Sequence, residues 1–303
     1  MSKEAFVETN FRPASLALLG TCNEIIRTYQ AQGYRLSLRQ LYYQLVSRNI
    51  IPNQERSYKN LGNLVSQGRL AGIVDWSAIE DRIRTPRKVQ EWESPSEIMQ
   101  AVVRGYTLPR WKAQPRYLEL WVEKDALAGV LQPITEQYHI TLMVNRGYSS
   151  MSAMKEAAER LEDASAEDKE ITMLYVGDLD PSGEDMVRDV EDRLRLLTRE
   201  EVEFVVIKLA ITAAQVAAYN PPPNPAKLSD SRSAGFIAKF GSSSYEADAL
   251  PPDVLAGVVR GAIEARLDAP LWAEVIEQEE KDKELLRWAE GEVMKRREKG
   301  EQV

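Results

Sequence analysis

The sequence predicts an α/β protein whose parallel sheet is covered by helices on both faces, and three observations lead there. The apolar runs YLELWV (117–122), ITLMV (140–144), ITMLYV (171–176) and VEFVVIKLA (202–210) are nearly unbroken. Helical stretches near 125–137, 149–163, 182–197 and 212–219 lie between or just after them. Strands buried on both faces read as continuous apolar runs, and their alternation with helices signals parallel crossovers. The chain has 303 residues, of which 44% are hydrophobic and 28% charged, enough for about two domains with their own cores.

Ahead of the strands, residues 14–31 (ASLALLGTCNEIIRTYQA) form an amphipathic pattern that Gly33 can end. Ser37 is placed to cap a second helix, LRQLYYQLVSR, which stops before Pro52 and Asn53. A third runs from about Ser57 to Gly72, and the apolar segment Ile73 to Trp76 then leads to Asp81-Arg82-Ile83-Arg84. Three short helices and a brief extended element fit a winged-helix (CAP-like) module, although a plain three-helix bundle has the same periodicity. Residues 85–116, with prolines at 86, 95, 109 and 115, read as a connector holding one helix. The predicted organisation is thus 1–84 winged helix, 85–116 connector, 117–250 sheet domain and 251–303 C-terminal helices, near 251–267 and 270–299. The last helix carries both signs of charge and reads as a solvated one. The proline-rich 220–233 is a stiff connection inside the sheet domain.

Composition excludes several function classes. No apolar run approaches the roughly 20 residues of a membrane helix, and MSKEAFVETNFRP lacks a signal-peptide core, so cytoplasmic residence without a membrane partner is expected. One cysteine, Cys22, allows no internal disulfide, and with His139 as the one histidine a Cys/His zinc site is ruled out. Any metal must be held by oxygens. Asp and Glu number 47 against 39 Lys and Arg, a net charge of −8. The charge is polarised, however. Residues 33–72 hold Arg35, Arg39, Arg48, Arg56, Lys59 and Arg69 against Glu55, which suggests a polyanion-binding module beside an acidic one.

The acids of the sheet domain fall where chemistry is expected. Glu123 follows the first strand, and Asp178 and Asp180 follow the third in GDLDPSGED. In open parallel sheets, sites gather outside the carboxyl ends of the strands. Side chains two apart on extended backbone point the same way, so Asp178 and Asp180 are expected to converge. Such carboxylates repel one another unless a cation joins them, and an all-oxygen set suits a hard ion such as Mg²⁺. Pro181 and Gly183 make the turn into the next helix. Acids at strand ends also serve as helix caps, which is the alternative for each residue singly.

These residues bear a resemblance. WVEKDA (121–126), NRGYSSMSAM (145–154) and GDLDPSG (177–183) are similar to blocks of the Toprim domain in the topoisomerase VI A subunit and its meiotic double-strand-break relatives. RQLYY (39–43), on the preceding helical module, resembles their Arg-x-x-Tyr-Tyr motif, and SYEADAL (244–250) resembles a further acidic block. The resemblance spans about residues 35–250. It implies a Toprim domain with a Rossmann-like sheet and a division of labour. Tyr43 would attack a DNA phosphate with Arg39 nearby, and Glu123, Asp178 and Asp180 would bind Mg²⁺. A tyrosine with a pKa of about 10 needs cations or a metal to react near neutrality. The partners implied are double-stranded DNA, a second copy of the chain whose metal site meets the tyrosine, and a separate ATPase subunit for strand passage, because nothing here resembles an ATPase.

Other residues have plainer readings. Arg56, Lys59 and Arg69 are candidate DNA contacts on the third helix, and Lys124 and Arg146 border the acids and are candidate phosphate contacts. Glu246 and Asp248 either extend the acidic cluster or cap the helix after Pro251. Asp230 and Arg232 either pair or reach the site. His139, Trp76 and Trp121 read as structural. Tyr42 and Tyr43 also fit a buried helix face. Three functions follow: a tyrosine transesterase, a hydrolytic Toprim nuclease using metal-activated water, or a non-enzymatic DNA-binding subunit.

Overall fold

The computed structural model describes residues 3–79, 89–198, 202–225 and 232–298. The chain begins with three helices, α1 (Pro13–Gln30), α2 (Leu38–Ser47) and α3 (Glu55–Leu70). Ser37 caps α2 with a reciprocal pair of bonds: its hydroxyl accepts from Gln40 N–H, and the Gln40 side chain accepts from Ser37 N–H. The core of this unit includes Leu19, Cys22, Leu41, Leu45, Leu61 and Val65, all buried. Burial pushes the Cys22 thiol up to about 11, which leaves it unreactive. Segment 73–76, expected to be extended, forms no strand. Among the described residues, two isolated bridges, Ala5 with Ala71 and Leu36 with Ile79, stand in that region. Asp81 to Arg84 lie outside the described residues. Trp76, expected in the core, is 40% exposed and stacks edge-on against Phe6.

Next come α4 (Pro95–Gly105), β1 (Arg116–Val122), α5 (Asp125–Tyr138), β2 (Thr141–Val144), α6 (Met151–Ala166), β3 (Glu170–Val176), α7 (Pro181–Leu197), β4 (Phe204–Ala210) and α8 (Ala213–Tyr219). The short strands β5 (Asn224–Pro225) and β6 (Ser243–Ser244) pair antiparallel, with α9 (Ser233–Phe240) between them. A 3₁₀ turn at Ala247–Ala249 precedes α10 (Pro252–Glu264) and α11 (Ala269–Glu298).

The main sheet has the order β2-β1-β3-β4, all parallel, as the apolar runs predicted. Alternating residues serve two cores. Leu118, Leu120, Val122, Leu174 and Val176 pack with residues of α5 and α10, while Trp121, Met173 and Tyr175 pack with residues of α6 and α7. The second face also buries Glu119 completely. Its carboxylate takes both Arg160 nitrogens, at 2.6 and 3.0 Å, together with the Tyr117 hydroxyl and the Trp121 indole N–H. That multiplicity is what a buried charge requires. His139 is structural, as read: it ends α5 in the left-handed region at φ 52°. The order places the switch point between β1 and β3, since crossovers leave in opposite directions there. α11 departs from a purely solvated helix, because it packs on α4 and buries Glu279 against Leu108 N–H, Arg110 and Lys283. Among the described residues, no helix is long and apolar enough to cross a membrane.

Candidate functional site

Three segments meet at the carboxyl rim of the switch point. β1 runs out into Glu123 and Lys124, β3 into Gly177 to Asp180, and the chain after β6 brings Glu246 and Asp248. Leu179 and Tyr245 exchange backbone hydrogen bonds at 2.8 and 2.9 Å, which fixes the third segment to the second. α2 packs on the Ala247–Ala249 turn and brings Arg39 and Tyr43 over this rim.

Asp178 sits where these segments join. Its Oδ1 accepts from Ala247 N–H at 2.9 Å, and its Oδ2 lies 2.6 Å from Lys124 Nζ. Its own N–H donates to Glu123 Oε2 at 2.8 Å. Carboxylate oxygens of Asp178, Glu246 and Asp248 lie within 4.8 Å of one another. One ion with oxygen ligands at about 2.0–2.6 Å gathers its donors to a comparable spread, so this buried acidic triad can bind a metal ion. The all-oxygen set suits a hard divalent cation. Gly177 makes room for the Glu123 side chain beside the triad: a Cβ there would stand 2.6 Å from the Tyr175 ring and 2.8 Å from Glu123 Oε2.

Two cations already thread the acids. Lys124 Nζ also reaches Glu246 at 2.7 Å and Asp248 at 3.5 Å. Arg39 pairs with Glu246, and its Nε lies 2.6 Å from Asp248 Oδ2. Asp178, Glu246 and Asp248 thus share two cations with Glu123 beside them, and the crowding shows in the protonation of these four. Burial, then the charge of Asp178, raises Glu123 to about 7. Burial raises Asp248 to about 6 against the pull of Lys124 and Arg39, and it raises Asp178 as well. For Glu246 burial is outweighed by Lys124 and Arg39, which bring it down to about 2. Burial works against the Lys124 charge, yet Asp248, Asp178 and Glu246 hold it well above the ordinary lysine value.

Over this rim lies a cleft of about 620 Å³, walled by Arg39, Tyr42 and Tyr43 of α2, by residues 53–55 and Tyr58, and by Asn224 and Ser244 to Glu246 opposite. Asn53 Nδ2 spans it at one side, donating to Asn224 Oδ1 at 2.7 Å and to Pro223 O at 3.1 Å. Tyr43 is 3% exposed, lines the cleft with Glu246, and carries Arg39 over its ring at 5.6 Å. Burial, then Glu246 and Asp248, holds its proton well above the usual phenol range, with Arg39 opposing. Tyr42 is anchored instead: its hydroxyl accepts from Gln54 N–H at 2.8 Å and donates to Asn53 Oδ1 at 2.9 Å.

The residues singled out in the sequence divide accordingly. Glu123 and Asp178 come together, with Arg39 and Tyr43 in the same cleft. Asp180 lines the cleft but does not join the triad. β3 ends at Val176, so the period of two stops, and Asp180 instead caps α7, accepting from Gly183 N–H at 2.6 Å and Ser182 Oγ at 2.8 Å. Lys124 lines the cleft and is paired there with Asp178, Glu246 and Asp248. Arg146, exposed, pairs with Asp125 at 3.1 Å and does not line the cleft. Arg56 and Lys59 are exposed on α3, Lys59 paired with Glu55 at 2.7 Å. Arg69 turns inward, donating to Ile79 O at 2.8 Å and stacking on Trp76. Arg232 pairs with Asp185 at 2.7 Å, and Asp230 lies outside the described residues. Glu246 and Asp248, which the sequence left between cap and cluster, belong to the cluster. The pointer was the acidic block SYEADAL (244–250) and not strand periodicity, since Ala247–Ala249 is a 3₁₀ turn.

Compared with known proteins, the chain matches no family model, no curated protein and no solved structure.

Proposed function

We propose that this protein is a Mg²⁺-dependent enzyme that cleaves double-stranded DNA by tyrosine transesterification, with Tyr43 as nucleophile. In this reading the helical unit is a winged-helix module and the sheet unit a Toprim domain of the topoisomerase VI A type, lacking its own ATPase. One observation carries it: Arg39 and Tyr43 share a single cleft with Glu123, Asp178 and Glu246, although they come from distant parts of the chain.

The chemistry asked of these residues balances. The Tyr43 phenolic oxygen attacks phosphorus, its proton passing to solvent in the cleft. The bond from phosphorus to a deoxyribose oxygen breaks, and that oxygen leaves as a hydroxyl by taking a proton back. A phosphotyrosyl ester results, which permits resealing. Arg39 exchanges its acid partners for phosphate oxygens, a geometry suited to its fork of donors. Asp178, Glu246 and Asp248, with Glu123 beside them, would hold Mg²⁺, which supplies neutralisation of the charge developing on the phosphate.

The burial of Tyr43 favours a second reading, hydrolysis by water with the tyrosine as part of the core. Supercoiled DNA incubated with protein and Mg²⁺, then denatured with and without protease, separates the two. Protein-linked ends that vanish in Tyr43→Phe support transesterification. Free ends made equally well by that variant support hydrolysis. No cleavage, with salt-sensitive binding, leaves a DNA-binding subunit.

A further inference from the structure

We propose that α11 is a self-association surface, two copies of the chain pairing through an antiparallel contact whose two-fold axis passes between Leu285 and Trp288. The inference is independent of the cleavage reading. α11 has 30 residues and runs about 45 Å. Its inner face packs on α4, and Glu279 is buried. Its outer face carries Leu285 and Trp288 at 62% and 65% exposure, large apolar side chains left mostly open by the described residues. Beside them a groove of about 250 Å³, lined by Ile98, Met99, Val102, Val103, Leu286 and Ala289, continues the apolar surface onto α4.

The charges flanking this patch say what covers it. Glu277, Lys281, Leu285, Trp288, Glu292 and Arg296 recur at spacings of four, four, three, four and four, so they form one stripe along the helix. In a two-fold antiparallel pair, residues equally far from the axis face each other. Leu285 then meets Trp288 of the second copy, Lys281 meets Glu292, and Glu277 meets Arg296. Each position finds an apolar or opposite-charge counterpart, so the stripe is complementary to itself. Within one chain Lys281 pairs with Glu277 at 2.6 Å and Lys295 with Glu292 at 3.1 Å, but such exposed pairs are worth little and re-pair readily. The facing stretch, Glu277 to Arg296, spans about 28 Å. Because Arg39 already pairs with the acids of its own chain and Tyr43 lines the same cleft, this pairing joins two assembled clefts rather than completing a divided one.

Sedimentation equilibrium of the full chain, over a concentration series reaching about 100 µM, tests the proposal. The wild type should show a monomer–dimer equilibrium. Trp288→Glu and Lys281→Glu should each raise the dimer Kd at least about tenfold, and Lys281→Glu/Glu292→Lys should return it to within about threefold of wild type. Lys281→Glu loses one within-helix pair and the double variant loses both, so recovery in the double reports the pairing between copies. Circular dichroism verifies that each variant is folded, and Leu285→Asn stands in if Trp288→Glu is not. A chain that stays monomeric throughout, a dimer indifferent to Trp288→Glu, or a double variant that fails to recover would each overturn the proposal.

Discussion

Asp178 donates its backbone N–H to the Glu123 carboxylate at 2.8 Å, so a titratable group ties the ends of β1 and β3 together. Burial and the Asp178 charge raise Glu123 from 4.5 to about 7. The folded chain therefore binds a proton that the unfolded chain has released. The stability this supplies is full below about pH 4.5 and is lost as pH rises through about 7. Asp248, raised to about 6, acts in the same direction. The metal-free protein should lose thermal stability between pH 5 and 8, with Glu123 contributing on the order of 3 kcal/mol. Glu123→Gln should flatten that slope. His139, whose imidazole is lowered by burial, runs the opposite way and cancels when the two proteins are compared. A slope unaltered by the substitution would show that Glu123 is ionised throughout.

Asp178→Asn removes one charge at nearly constant shape from the acid that joins the three segments. Asn keeps an acceptor for Ala247 N–H, and Lys124 retains Glu246 and Asp248. The variant should therefore fold, with a stability change of about 1–2 kcal/mol. Its affinity for Mg²⁺ or Mn²⁺ by titration calorimetry should fall at least about 10–100-fold, and metal-dependent cleavage should disappear. Unchanged metal affinity would remove the acidic triad from the mechanism.

Much of this architecture was legible, because its physical causes are local. The four apolar runs of the main sheet became parallel strands, and Ser37, read as the cap of the second helix, caps α2. What escaped depends on long-range closure. The acid partner of Asp178 is set by the Leu179–Tyr245 bridge, which joins segments more than sixty residues apart in sequence. Asp180 was placed with Asp178 by strand periodicity, a rule that lapses where β3 ends and a helix N-terminus offers Gly183 N–H instead. The pattern of α9 was also missed, its eight residues being too few to set a period against the proline-rich stretch before it. The inward turn of Arg69 had no sequence signal, since it answers a carbonyl supplied by the following loop.

Arg39 joins the helical unit to the sheet unit through Glu246 and Asp248, the latter with a fully enclosed carboxylate. Arg39→Ala strips Asp248 of one of its two cations and should cost on the order of 3 kcal/mol in chemical denaturation, the penalty of a buried charge left underpaired. Arg39→Lys should recover part of this, because a point charge replaces the fork. Raising Mg²⁺ should stabilise Arg39→Ala more than wild type if the ion and the guanidinium compete for the same oxygens. Equal stabilisation would indicate separate binding positions.

The basic residues of α3 divide by orientation, and DNA binding should divide with them. Arg56 and Lys59 are exposed toward solvent, so Arg56→Glu/Lys59→Glu should leave the fold intact. It should also weaken binding to duplex DNA and reduce the slope of log affinity against log salt by about 2, one unit for each phosphate no longer neutralised. Arg69→Glu is expected to act differently. Its guanidinium holds Ile79 O and lies on Trp76, so reversal breaks the closure of the helical unit and should lower the unfolding midpoint. Any loss of DNA affinity in that variant should follow the loss of folded protein. Fluorescence anisotropy at several salt concentrations, beside thermal unfolding of the same samples, separates the two effects. Should the double variant keep its salt slope while Arg69→Glu flattens it at unaltered stability, the duplex meets the opposite face of α3.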